Sequence, residues 1–173
     1  RYSRIHSDGY IDRAFSDLNS YFLSGGYYGE KTMLKMTVFS GTEKTYQAWD
    51  GVPSYILDTN RTYNGLGAYI DLDGNLKYYE DQTDNYIQTH YQLYLVQEIS
   101  RNWSFNSALH YTMGEGYYEE YRMGQSFSDY ALPAPVIGDD TITSTDLIRQ
   151  RWLDNDYYGI TFSFIHDSKR RLN

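Results

Sequence analysis

Apolar and polar residues alternate with a period of two along most of this chain, and helical periodicity is nearly absent. The pattern predicts five long strands. The first covers residues 15–28 and the second 32–47, with a tight turn at 29–31 between them. The third covers 85–99 and the fourth 103–121, joined by a tight turn at 100–102. The fifth covers 151–166 and is followed by the basic run Lys169-Arg170-Arg171. Two long connections, 48–84 and 122–150, complete the chain.

Short turn, long connection, short turn, long connection is the rhythm of an up-and-down antiparallel sheet. It collects the short turns at one end and the long loops at the other. Outer-membrane β-barrels have this asymmetry. A tilted strand crosses a bilayer in about 9 to 11 residues, so these strands would cross and continue beyond it. Strands of a soluble sandwich are usually shorter, about five or six residues.

Face assignment agrees. In the third strand Ile87, Thr89, Tyr91, Leu93 and Leu95 alternate with Gln88, His90, Gln92 and Tyr94. In the fourth, Trp103, Phe105, Leu109 and Tyr111 alternate with Ser104, Asn106, His110 and Thr112. In the fifth, Tyr158, Ile160, Phe162 and Phe164 alternate with Gly159, Thr161 and Ser163. One face is apolar with aromatic ends and the other is polar and mostly uncharged, as in a wall between lipid and a wet lumen. In the second strand Leu34, Met36 and Val38 mark the outward face. The register of the first two strands stays open, because one residue more or less in the turn exchanges the faces. Five strands do not close a barrel, which takes at least about eight. The expected fold is therefore all-β: an antiparallel, up-and-down segment of a larger transmembrane barrel, occupying residues 1–173 as one partial domain.

Composition narrows the functions. The 173 residues carry 15 Lys and Arg against 23 Asp and Glu, a formal charge of −8. That argues against nucleic acid as a partner. Cysteine is absent, which removes disulfides, thiol catalysis and Cys-ligated zinc. No apolar run reaches the length of a membrane helix, and the first residues, Arg1-Tyr2-Ser3-Arg4, do not read as a signal peptide. The chain reads as a mature product or an excerpt.

Candidate chemistry is sparse. His90 and His110 fall on the polar face. A turn centred on Arg101 sets His90 opposite Thr112 and His110 opposite Gln92, so the two imidazoles are diagonal neighbours roughly 7 Å apart. With no third ligand near, they read as lumen-facing polar residues, together with Gln88 and Gln92. Asp71-Leu72-Asp73-Gly74-Asn75 resembles part of a calcium loop, but Gln82 stands where the bidentate Glu belongs and Leu76 where the glycine belongs. A hairpin turn at Asp73-Gly74 is the better reading. Glu115 and Glu119 share a face but lie about 13 Å apart, a spacing that fits neither class of glycosidase. No catalytic residue, metal site or cofactor is assigned. The connection 48–84 has a charge balance of −5 from its acidic residues against Arg61 and Lys77. Its Trp49, Tyr55, Arg61 and Tyr63 are the candidate ligand contacts, since polar and aromatic loop residues on a rigid scaffold suit ligand capture.

Several segments together resemble a known family. They are Ser7-Asp8-Gly9-Tyr10-Ile11-Asp12 with Asp17-Leu18-Asn19-Ser20-Tyr21-Phe22, Thr45-Tyr46-Gln47-Ala48-Trp49-Asp50-Gly51-Val52-Pro53, and Asn60-Arg61-Thr62-Tyr63-Asn64. To these are added Asp81-Gln82-Thr83-Asp84-Asn85-Tyr86, His90-Tyr91-Gln92-Leu93, Ala108-Leu109-His110-Tyr111 and Gly116-Tyr117-Tyr118-Glu119-Glu120-Tyr121. In order and spacing they resemble the barrel of TonB-dependent outer-membrane receptors of the Bacteroidetes type, over nearly the whole chain. The resemblance implies a barrel of about 22 strands around a plug that lies outside this chain. It implies a Gram-negative outer membrane, contact of the plug with TonB, and energised uptake of a scarce nutrient. Iron–siderophore complexes, haem, cobalamin and glycans are the family's substrates, and a surface lipoprotein is a further partner. A soluble all-β carbohydrate-binding module is the alternative. It would gather its aromatics on one concave face and cover its apolar face with a second sheet.

Overall fold

The computed structural model describes residues 1–167; the basic run 169–171 lies outside them. The chain forms one antiparallel meander of six strands: β1 (Tyr2–Ser7), β2 (Ser16–Tyr28), β3 (Thr32–Tyr46), β6 (Thr83–Ser100), β7 (Trp103–Ser126) and β10 (Ser144–His166), in that spatial order. Two small hairpins sit in the long connections, β4–β5 (Ala68–Ile70, Leu76–Tyr78) and β8–β9 (Val136–Ile137, Asp140–Thr141). The helical segment among the described residues is a 3-10 turn, Phe127–Tyr130. The fold is all-β.

The five expected strands are present, and three of them are longer than expected, β6 by three residues. β7 continues to Ser126, and β10 starts at Ser144 rather than at residue 151. The second connection thus shrinks to 127–143. A sixth strand, β1, adds to the edge of β2 through Tyr2↔Tyr21 to Ser7↔Ser16. The turn after β2 pairs Tyr28 with Met33, which fixes the register left open by the sequence. Tyr21 and Leu23 join Leu34, Met36 and Val38 on one face, and Leu18 and Phe22 point to the other.

Following the registers across the sheet gives horizontal rows of neighbours. One face holds Leu95 beside Leu34, Leu93 beside Met36 and Leu109, and Ile160 beside Leu109. The next row is aromatic: Tyr91 faces Tyr111 and Tyr111 faces Tyr158. The Tyr91 and Tyr111 rings stack at 6.1 Å. At the short-turn end the same face carries Phe105 against Phe164 and Trp103 against His166. One row beyond the tyrosines the face becomes mixed, with Ser40, Thr89, Met113 and Asp156, and the next row is Thr42, Ile87, Glu115 and Asp154. Beyond it Tyr117 packs against Trp152 on the same face, ring centres 4.6 Å apart. The continuous apolar surface is thus a band from Trp103 to Tyr111, in the half of the sheet near the short turns. Eight residue steps are about 27 Å along a strand, or about 21 Å of height at a barrel-like tilt near 40°.

This band has no cover within the chain. Among the described residues Tyr46 is the one buried apolar side chain, while Ile160 is 61% and Phe162 67% exposed. The accessible surface is 13004 Å², against about 8800 Å² for a compact folded chain of this mass. A single layer with both faces open accounts for the excess.

Candidate functional site

All the long connections (8–15, 47–82 and 127–143) lie at the end of the sheet away from the short turns. Connection 47–82 is an ordered structure. Its hairpin closes as the sequence indicates: the Asp71 carboxylate accepts from the backbone N–H of Asp73 (3.0 Å) and Asn75 (2.8 Å), and Gly74 takes a left-handed φ of 82°. The calcium-loop carboxylate is therefore occupied in holding the turn.

The base of this connection is a buried polar network. β7 continues for eight residues past Tyr118, which pairs with Asp84 near the start of β6, and this leaves part of its backbone edge without a ladder partner. Gln47 and Gln82 occupy that edge. The Gln47 amide donates to the carbonyls of Glu119 (3.0 Å) and Thr83 (3.3 Å), and Gln82 Oε1 accepts from the backbone N–H of Tyr121 at 2.9 Å. The two glutamines are bonded to each other, Gln82 Nε2 donating to Gln47 Oε1 at 3.2 Å. Asn64 donates to the Gln47 carbonyl at 2.9 Å. Arg13 bonds Tyr46 Oη and the Asn64 carbonyl, and its guanidinium lies 3.6 Å from the Tyr78 ring centre. Buried amides with every partner supplied make a rigid base. Tyr79 donates to Glu119, and burial together with that carboxylate pushes its phenol well above the ordinary range.

The four loop candidates do not form a single cluster. Trp49 packs edge-on against Tyr118, with ring centres 5.6 Å apart. Arg151, from β10, lies over the same Tyr118 at 5.4 Å. Tyr55 is 83% exposed in the turn that follows Pro53, and Arg61 is exposed. Tyr63 is half-buried near Gly65. Tyr118 and Arg151 escape a sequence reading, since nothing local marks either as a partner of Trp49.

The polar-face candidates do share one face. His90 stands opposite Thr112 and Gln92 opposite His110, as the turn at Arg101 predicts. His90 uses both ring nitrogens: Nδ1 meets Thr112 Oγ1 at 2.9 Å, and Nε2 meets Gln88 Oε1 at 3.1 Å. Its ring stacks on Phe39 at 4.4 Å, and Phe39 stacks on Phe22. His110 stacks on Tyr157 at 5.2 Å. Nearer the loops the same face carries an Arg149–Glu120 pair at 2.5 Å, and burial raises the Asp84 carboxyl above its ordinary value. Among the described residues no three His, Asp or Glu side chains converge on a point that would hold a metal ion.

No family model, curated protein or solved structure matches this chain.

Proposed function

We propose that this chain is a length of outer-membrane barrel wall from a TonB-dependent receptor that takes up a scarce nutrient. The apolar band carries the reading. At a barrel-like tilt it is about 21 Å high, close to an outer-membrane belt of about 25 Å, and it is bordered by aromatic residues at both margins. It occupies one face only, at the end where the turns are short. Where β6 meets β7 the opposite face carries Gln88, His90, Gln92, His110 and Thr112, polar residues that suit a wet lumen. The strands run well past the band and end in the long connections, which face outward in this reading. The free edges of β1 and β10, the latter 23 residues long, await the strands that close the barrel.

In this account lipid covers the band, and a plug outside the chain meets Gln88, His90, Gln92 and His110. Neutral polar residues suit a wall that must release its plug, since breaking buried ion pairs leaves unpaired charges. Trp49, Tyr55, Arg61 and Tyr63 offer first contact to ligand, on the rigid base made by Gln47 and Gln82. TonB, acting through the plug, supplies the drive, and a surface lipoprotein is a further partner.

The test is uptake by cells making the intact protein, measured with labelled ferric siderophore, haemin, cyanocobalamin and oligosaccharides. One of these should enter, and a protonophore that collapses the inner-membrane potential should stop it. Uptake that is indifferent to the protonophore, or to deletion of the protein, would refute the proposal.

A further inference from the structure

We infer that the outward face holds a site for a membrane lipid with a primary ammonium in its headgroup. This rests on the lipid-facing reading of the band and names which lipid the wall prefers. Two clefts lie on either side of the Tyr91–Tyr111–Tyr158 row. The cleft toward the short turns has a volume of about 580 Å³, within the range of about 300 to 1,000 Å³ usual for ligand clefts. Met36, Leu93, Leu109 and Ile160 stand in register along it, so it crosses β3, β6, β7 and β10 over about 14 Å. The cleft toward the loops is smaller, about 160 Å³, and Thr89, Glu115, Asp154 and Asp156 are among its walls.

The two clefts meet at Tyr111. Tyr111 forms part of the wall of the apolar cleft, and its hydroxyl donates to Asp156 Oδ1 at 2.5 Å. An amphiphile laid across this row has its chain among aliphatic side chains and its head among carboxylates. The fold alone gives these carboxylates no reason to be together. Glu115 and Asp154 face each other directly across β7 and β10, an arrangement that costs stability, and Asp156 lies one row away. Among the described residues neither cleft has Lys or Arg in its walls. On the same face Lys44 is bridged to Asp81 and Arg4 to Asp17, so neither neutralises the three.

Charge selects the occupant. Carboxylates just above the apolar band repel an anionic headgroup and attract a cationic one. A primary ammonium brings three N–H donors to the carboxylate oxygens and to the Thr89 hydroxyl, whereas a trimethylated choline brings none. A bare metal ion suits the place less well, because among the described residues no three acidic side chains converge on one point. The apolar cleft takes the acyl chain, which a soluble amine lacks.

The experiment uses the intact protein in phosphatidylcholine vesicles, with Leu95→Cys carrying a bimane one row from the apolar cleft toward the short turns. Phosphatidylethanolamine, phosphatidylcholine and phosphatidylglycerol with brominated chains are exchanged in, with EDTA and with magnesium, and quenching gives the relative affinity of each. Phosphatidylethanolamine should bind at least about threefold more tightly than the other two, with or without magnesium. Asp156→Asn should bring the three lipids within about 1.5-fold, and Glu115→Gln serves the same purpose if that variant inserts poorly. Leu93→Phe with Leu109→Phe fills the apolar cleft and should also remove the preference, although every carboxylate remains. Asp129→Asn, in the 3-10 turn, should leave it unchanged. Equal quenching by the three lipids, or a preference that survives both carboxylate variants or the two phenylalanines, overturns the site. So does a preference for phosphatidylglycerol that needs magnesium, which would mean a bridging metal ion. In each of these cases the receptor reading stands. Absence of quenching by any brominated lipid would instead strike that reading.

Discussion

A charge placed at two heights on one face of the sheet separates a lipid-facing band from an ordinary wet surface. Leu109 lies inside the band, one row from its middle, between Leu93 and Ile160. Asp154 points the same way from β10, three rows nearer the loops and directly opposite Glu115. If the band faces lipid, Leu109→Arg puts a guanidinium near the bilayer midplane and costs about 2 to 4 kcal/mol. Asp154→Arg sits above the band. It also converts a like-charged cross-strand pair into an opposite-charged one, worth about 0.2 to 1 kcal/mol in favour of folding. The two substitutions should therefore differ by at least about 2 kcal/mol, with opposite signs. The assay is guanidinium titration of the intact protein in large vesicles, followed by tryptophan fluorescence. Equal effects, or a cost below about 1 kcal/mol at Leu109, would refute the assignment of this face to lipid.

Other outcomes follow from the loop base and the sheet. Gln82→Ala strips the Tyr121 N–H of its acceptor and breaks the bond to Gln47, so the base should lose about 1 to 3 kcal/mol, read as faster amide exchange at Tyr121. At Gly116 a Cβ would lie 2.2 Å from the Asn85 carbonyl oxygen, so Gly116→Ala should cost at least about 1 to 3 kcal/mol in the vesicle titration, whereas Gly41→Ala should be neutral or stabilising. Asp146 accepts from the Gly124 N–H and the Tyr121 hydroxyl at the bulge between β7 and β10, and these bonds hold its carboxyl below the ordinary value. Its contribution is thus full above the ordinary aspartate range and is lost as the pH falls through the lowered folded value. Protection of the Gly124 amide should decline over that acidic window, and Asp146→Asn should flatten the decline.

The parts of the fold legible in the sequence are those where one face is apolar. Within the band, alternation such as Leu93, Leu95 against Gln92, Tyr94 marks the strand, and the turn at Arg101 fixes its partner. At 122–126 and 144–150 apolar residues are few and the bulge at Thr145–Leu147 breaks the alternation, so the signal fades although the hydrogen-bonded ladder continues. That is why residues 122–126 and 144–150 read as loop. β1, with Tyr2, Ser3, Arg4, Ile5 and His6, is too short and too mixed to show a face. The site follows the same logic. His90 and Gln88 were legible from parity, but Gln47 and Gln82 look like any solvated amides until β7 outruns its neighbour and needs them.

The central claim is that the band faces lipid and the opposite face does not. Single cysteines at Leu93, Leu109 and Ile160, and at Gln92, Ala108 and Thr161, can carry nitroxide labels in the intact protein in liposomes. Power saturation with oxygen and with a water-soluble nickel chelate then reads the environment of each. The account predicts high oxygen and low nickel accessibility for the first three, and no such preference for the second three. Nickel reaching Leu109 and Ile160 as freely as it reaches Thr161 would contradict it.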